Sequence, residues 1–287
     1  MEKSATKGKV KRSVFSFISV FLASLFAFVL CTVSVLKTTV YNREYYINIL
    51  QTTKYSEYLA EDIRKELVHL GQISIEDCPE YIFNESVPSA KILNDSLDYV
   101  EACMTNSPKA TDDEDLRKEL TQKLNSYVVR QYPEMAEDPQ IKADLELLVD
   151  SCVKAYIDSV QTDLMKLVGD ITFKTSKYID AAMVLFSVLT LLFAGLIIPI
   201  NRSASKRLMY YVILCSTFLL TAAVVPAVLY GTDIVSKAAI TSEYLYTFVT
   251  AVLSGVAFGF LIAAIVGAVL TLIAIIINAL YKKYRIQ

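Results

Sequence analysis

Four stretches of this chain carry no charged side chain at all: Ser13 to Leu36, Ala181 to Asn201, Leu208 to Thr232, and Leu245 to Leu280. Each reaches the roughly 20 apolar residues that cross a hydrocarbon core of about 30 Å. A helix that meets water needs a polar face, and these runs have none. Over the whole chain 54% of residues are hydrophobic and 20% charged, but the two kinds are segregated. The pattern predicts an all-α membrane protein with transmembrane helices at 13–36, 180–200, 208–230 and 245–280. A helical bundle at 37–179 is inserted between the first and second. The lipid bilayer is therefore the first partner.

The first run follows a basic tail with Lys3, Lys7, Lys9, Lys11 and Arg12. Signal-peptide cores are shorter, about 7–15 residues, and end at a small-x-small site. This run ends in Val35, Leu36 and Lys37, which predicts a retained anchor. Phe28-Val29-Leu30 before Cys31 also lacks the small residues of a lipoprotein site.

Basic residues favour the cytoplasmic side of short loops. They cluster in the tail at 1–12, in the loop at 201–207 (Arg202, Lys206, Arg207), and in the tail at 281–287 (Lys282, Lys283, Arg285). All three fall on one side if both termini are cytoplasmic. The segment at 37–179 and the loop at 231–244 are then outside, and the expected location is the plasma membrane, with multiple passes.

Tyrosine crowds the end of the first span: Tyr41, Tyr45, Tyr46, Tyr55 and Tyr58. The chain has no Trp, so Tyr alone supplies the amphipathic rings that favour membrane–water interfaces. Tyr178, Tyr210, Tyr211, Tyr230, Tyr244, Tyr246, Tyr281 and Tyr284 also mark span ends. Tyr55 and Tyr58 lie too far along for such a belt at about 1.5 Å per residue. They join Tyr45 and Tyr46 as a candidate partner surface.

The inserted segment reads as helical. Asn42 is positioned to cap a helix carrying Tyr45, Tyr46, Ile49 and Leu50. Tyr55, Leu59, Ile63, Leu67 and Leu70 repeat at helical spacing, with Gly71 as the expected stop. Thr111 and Glu114 form a capping-box pattern, and Asp112, Asp113 and Asp115 suit the positive helix end. Asp138-Pro139 opens the last helix of the segment, which is expected to run into the second span, with Gly169 and Asp170 as the candidate break.

Catalytic patterns are missing. His69 is the only histidine and has no Cys or His at metal spacing. The chain carries no GxSxG elbow, HExxH or phosphate-cradling glycine loop. The interiors of the spans hold no Asp, Glu, Lys, Arg or His, where coupled carriers usually place such residues. No enzymatic activity, no cofactor and no nucleic-acid partner are expected. Cys31 and Cys215 fall within spans; Cys78, Cys103 and Cys152 lie outside, and Cys78–Cys103 is a candidate disulfide.

The fourth run carries a ladder of small residues at Ala251, Gly255, Gly259, Ala263 and Gly267, with GxxxG at its centre. Such a face lets a neighbouring helix approach closely. Ala23 and Ala27 in the first span offer a matching face, for packing within the chain or for a homo-oligomer formed through the membrane helices. The fourth run would extend roughly 54 Å at about 1.5 Å per residue, so tilt, a break, or projection beyond the membrane is required. Pro226 is expected to kink the third span near Ala222–Ala223.

At "LKTTVYNREYYINIL" the chain resembles a group of uncharacterised four-span membrane proteins of clostridia and related Firmicutes, through Thr39, Val40, Asn42, Tyr45 and Tyr46. The resemblance implies a bacterial plasma membrane and an exported helical domain between the first two spans. The order of elements also resembles claudin-like four-span proteins. The functional expectation is a non-enzymatic membrane protein whose exported helical domain is an interaction or assembly module for a protein or envelope partner. The alternative is a transport component in which the third and fourth spans, with hydroxyls such as Thr217 and Thr221, form a passage for a small or apolar solute.

Overall fold

The computed structural model describes residues 2–75, 77–105, 107, 113–134, 136–201, 203–232 and 240–286; the side chains of 2–11, 285 and 286 are outside that description. Among the described residues every regular element is an α-helix: α1 Glu2–Thr38, α2 Arg43–Thr52, α3 Tyr55–Ser74, α4 Tyr81–Ser86, α5 Ser89–Thr105, α6 Glu114–Gln131, α7 Pro139–Val160, α8 Asp163–Ile200, α9 Ala204–Gly231 and α10 Glu243–Ile286. Thr111, Asp112, Arg202 and the loop at 233–239 lie outside the described residues.

Four helices are long and apolar enough to cross a membrane: α1 from Arg12, α8, α9 and α10. Their large side chains are bare: Leu191 is 73% exposed, Leu220 67%, Val184 66% and Phe17 65%. A water-soluble protein does not leave contiguous apolar surface on this scale. Hydrocarbon is the solvent that suits it, and the chain is a multi-pass membrane protein.

The chain divides into two compact units. The membrane unit comprises residues 1–42, 175–239 and 252–287. Within it α1 touches each of the other spans. Phe26 of α1 packs on Phe186 and Phe193 of α8, with ring centroids 6.0 and 5.6 Å apart, and Phe28 packs on Phe260 of α10 at 6.1 Å. Small residues make this possible: Ser16, Ser19, Ala23 and Ser24 are all buried on α1. At one end Lys37 Nζ meets Asp180 Oδ1 at 2.5 Å, and the hydroxyls of Tyr41 and Thr175 lie 2.7 Å apart. At the other end Asn201, 6% exposed, donates from Nδ2 to Ser16 Oγ at 2.8 Å, and Arg207 Nε donates to the Asn201 carbonyl at 2.5 Å. Pro226 sits buried inside the unbroken α9.

The second unit comprises residues 43–174 and 240–251. Its core is filled by Leu50, Tyr55, Leu59, Ile63, Leu67, Phe83, Leu116, Leu120, Leu124 and Tyr156, each 1% exposed or less. The apolar positions of α3 recur at helical spacing, so one face is buried throughout. Asp138 caps α7 as expected, accepting from Gln140 N at 2.8 Å, with Pro139 in the first turn. Arg64 closes the end of α4 by donating twice to the Val87 carbonyl, at 3.0 and 2.8 Å.

Two glycines serve differently from expectation. Gly71 does not stop α3, which continues to Ser74. A Cβ there would lie 2.4 Å from Phe83 Cζ, so glycine is present for close packing. Gly169 likewise lies inside unbroken α8, where a Cβ would meet Cys103 Cβ at 2.4 Å. The interruption between α7 and α8 falls earlier, at Gln161 and Thr162. Glu114 begins α6, preceded by Asp113, whose side chain makes no capping hydrogen bond.

The overlong fourth run has no break: α10 is a single helix of 44 residues, and its first turns, up to Ala251, belong to the second unit.

Candidate partner surface

The tyrosines expected to face a partner are drawn inward by the start of α10. Tyr46 and Tyr55 are core residues, 3% and 0% exposed, which corrects their assignment to an outward surface. Tyr46 stacks on Phe248 at 6.0 Å, and Tyr55 meets Tyr244 edge-on at 5.7 Å and Phe248 at 5.9 Å. Tyr45 is half-buried, edge-on to Tyr46, and its hydroxyl donates to the Ala251 carbonyl at 3.0 Å. Tyr58 is half-buried. Burial pushes the Tyr55 phenol well above the usual range, and nearby Tyr244 adds to it. Its hydroxyl and that of Ser96 lie close together but outside hydrogen-bond geometry.

An open apolar surface lies around the turn between α6 and α7. The helices α6 and α7 form a hairpin, with an ion pair between Arg117 near the start of α6 and Asp150 midway along α7. At the turn the end of α3 meets the hairpin. Tyr127 Oη donates to the Asp77 carbonyl at 2.9 Å, holding a turn in which Asp77 has the left-handed φ of 57°. Positive φ is uncommon outside glycine, and Asp tolerates it better than most. Tyr132 packs edge-on to Tyr127, with centroids 6.5 Å apart.

This end is apolar and exposed. Ile73 is 70% exposed, Val129 58%, Tyr81 52% and Tyr132 37%. Beside them runs a groove of about 340 Å³ lined by Ile75, Val128, Tyr132, Ile141, Leu145 and Leu148, with Ser74 and Asp144 as its polar members. A second groove of about 300 Å³ follows the hairpin past Leu124, Val129, Leu145 and Val149, with Glu137, Lys142 and Glu146 beside it. The 340 Å³ groove falls in the lower part of the range typical of ligand clefts. Its apolar lining with a few polar groups, next to exposed aromatic rings, is the composition of a protein-contact patch. The sequence reading missed this surface because Ile73, Val129 and Tyr81 lie off the helical stripes and look like isolated apolar residues.

The candidate pair Cys78 and Cys103 is not bridged, and all five cysteines are free thiols in this structure. Cys78 is buried and has Cys152 as an electrostatic neighbour, while Cys103 packs on Gly169. Burial, with Cys78 nearby, pushes the Cys152 thiol up to about 12. Among the described residues no three His, Cys, Asp or Glu side chains gather as metal ligands. His69 is exposed on α3 in a shallow polar depression with Glu61, Arg64 and Glu80.

The small-residue ladder of α10 divides between two neighbours. A Cβ at Gly259 would lie 2.8 Å from Val35 Cγ1 of α1, and one at Gly267 would lie 3.2 Å from Leu219 Cα of α9. The close approach of Gly259 to α1 therefore occurs at Val35. Ala23 is fully buried and Ala27 half-buried; Ala251, Gly255 and Ala263 are half-buried.

Compared with protein-family models, curated proteins and solved structures, the chain matches none of them.

Proposed function

We propose that this membrane protein exports its second helical unit and uses the hairpin end of that unit to bind a protein or envelope component, with the four spans as anchor and assembly platform. The observation that carries the reading is the apolar patch of Ile73, Tyr81, Val129 and Tyr132 beside its groove. Exposed aromatic and aliphatic side chains around a preformed groove are the anchors of protein recognition, and their burial contributes most of the binding free energy. The export of this unit rests on the basic clusters near the span ends. The bacterial plasma membrane follows from the resemblance to clostridial four-span proteins.

The rival reading, a passage for solute, requires hydroxyls or backbone groups turned toward a lumen. Thr217 and Thr221 instead donate to carbonyls of their own helix, at 2.9 and 3.0 Å, which favours the platform. The test is photocrosslinking in native cells with a photoreactive residue at Tyr81, Val129 or Tyr132, and a control at exposed Glu57 on the polar side of α3. A discrete adduct from the three hairpin-end positions and none from Glu57 supports the reading. No adduct from the three, together with solute flux through liposomes containing the purified protein, would replace it with transport.

A further inference from the structure

A cleft of about 590 Å³ opens between α1 and α8 within the membrane unit. Its walls are Phe15 and Ile18 on α1 and Phe193 and Leu196 on α8, and Arg12 stands in its lining at the end where the chain begins. Arg12 to Ser19 and Phe193 to Ile200 each advance about 10 Å along their helices, so the two walls match in depth. The helices are joined on both sides of the gap. Asn201 Nδ2 reaches Ser16 Oγ at 2.8 Å near the mouth, and Phe193 packs on Phe26 at 5.6 Å at the deep end.

Three observations point to a ligand with an apolar body and an anionic head. First, Ser19 lines the cleft, is 5% exposed, and its hydroxyl makes no hydrogen bond among the described residues. The neighbouring hydroxyls of Ser16 and Ser24 are satisfied by carbonyls of their own helix, each at 2.9 Å. Second, the Arg12 side chain is exposed and has no carboxylate partner among the described residues. Third, a second guanidinium is held at the same end, because Arg207 is bonded to the carbonyl of the same Asn201 that bonds Ser16. Arginine matches phosphate in a planar, two-pronged geometry, and basic pockets between membrane helices recognise phospholipid head groups.

We propose that this cleft holds one anionic phospholipid, with its phosphate on Arg12 and an acyl chain lying along Phe15, Ile18, Phe193 and Leu196. The surrounding bilayer supplies such a molecule at high local concentration. The apolar walls would otherwise remain unfilled between two joined helices, a cost that an acyl chain removes. The Ser19 hydroxyl gains a partner from the ester or glycerol oxygens.

The test is native mass spectrometry of the full-length protein in non-ionic detergent, titrated with phosphatidylglycerol or phosphatidylcholine of identical chains. The wild type is expected to retain phosphatidylglycerol about tenfold more strongly, the ratio given by about 1.4 kcal/mol. Arg12→Gln should erase that preference and leave phosphatidylcholine binding unchanged. Leu196→Trp, which fills the cleft from its exposed side, should weaken both lipids. Equal retention of the two lipids by the wild type, or preference surviving in Arg12→Gln, overturns the proposal. So does loss of preference in Arg12→Gln with no effect of Leu196→Trp, which would mean attraction to the basic tail alone.

Discussion

Gly259→Ala is the smallest change that probes the approach of α10 to α1. The added Cβ would lie 2.8 Å from Val35 Cγ1 and 3.1 Å from Val35 Cγ2. Carbon atoms in comfortable contact sit about 3.5–4.0 Å apart, so the helices must part by roughly 1 Å or Val35 must turn aside. Turning offers little relief. Both methyls crowd the same point, and a β-branched side chain in a helix has one strongly preferred rotamer. Val35 is also 6% exposed, with no open space to enter. The expected cost is that of overpacking, about 1–3 kcal/mol, or roughly 2–10 °C in melting temperature for a chain of this size. Val35→Ala removes both clashing methyls, so the double variant should recover most of what Gly259→Ala loses, with a coupling of about 1–2 kcal/mol. Phe258→Ala, at a site 59% exposed, is the control and should move the melt much less. Thermal unfolding of the detergent-solubilised protein, followed by far-ultraviolet circular dichroism, reads all four. If Gly259→Ala is silent, or Val35→Ala fails to rescue it, the contact is not part of the folded state.

Other expectations follow from the same contacts. Gly169→Ala should destabilise more than Gly71→Ala, because its Cβ meets Cys103 backbone atoms at 2.9 and 3.0 Å whereas Gly71 faces the tip of the Phe83 ring; Cys103→Gly, and not Cys103→Ala, should partly restore Gly169→Ala in the same melt. A membrane-impermeant thiol reagent on intact cells should label a cysteine placed at Lys109 but not one placed at Ser205, and the reverse pattern inverts the proposed topology. The Cys152 thiol, raised from 9.0 to about 12, should resist iodoacetamide at about pH 8.5 until the protein is denatured. Since the unfolded chain gives up that proton first, the thiol's contribution to stability is whole below pH 9 and declines as pH rises toward 12, which a series of melts would register.

The spans were legible in the sequence because a charge-free run of about 20 residues has few folded solutions. The α7 start was legible for a similar reason, since Asp138-Pro139 combines two local signals that need no tertiary partner. What failed was any inference that depended on who the neighbour is. Tyr46 and Tyr55 have rings suited equally to a core, an interface or a partner surface, and of the residues that bury them Phe248 lies in a run that reads as membrane span and Tyr244 just before it. Gly71 and Gly169 pose the same ambiguity, because a helix stop and a point of close approach both ask for a missing Cβ. The hairpin end became visible only when the turn at Asp77 brought Tyr81 beside Tyr127 and Tyr132.

The sharing of α10 between the two units has a consequence during synthesis. Tyr55 emerges from the ribosome roughly 190 residues before Phe248, a delay of about 10–40 s at ~5–20 residues per second. Throughout that interval the helices of residues 43–174 exist without the rings that close their aromatic core. A ribosome that stalls before residue 240 leaves a polypeptide whose two units are both unfinished, with Tyr46 and Tyr55 accessible to chaperones and proteases. Completion of the last membrane helix thus also completes the first folded segment, and quality control can read both from the same few side chains.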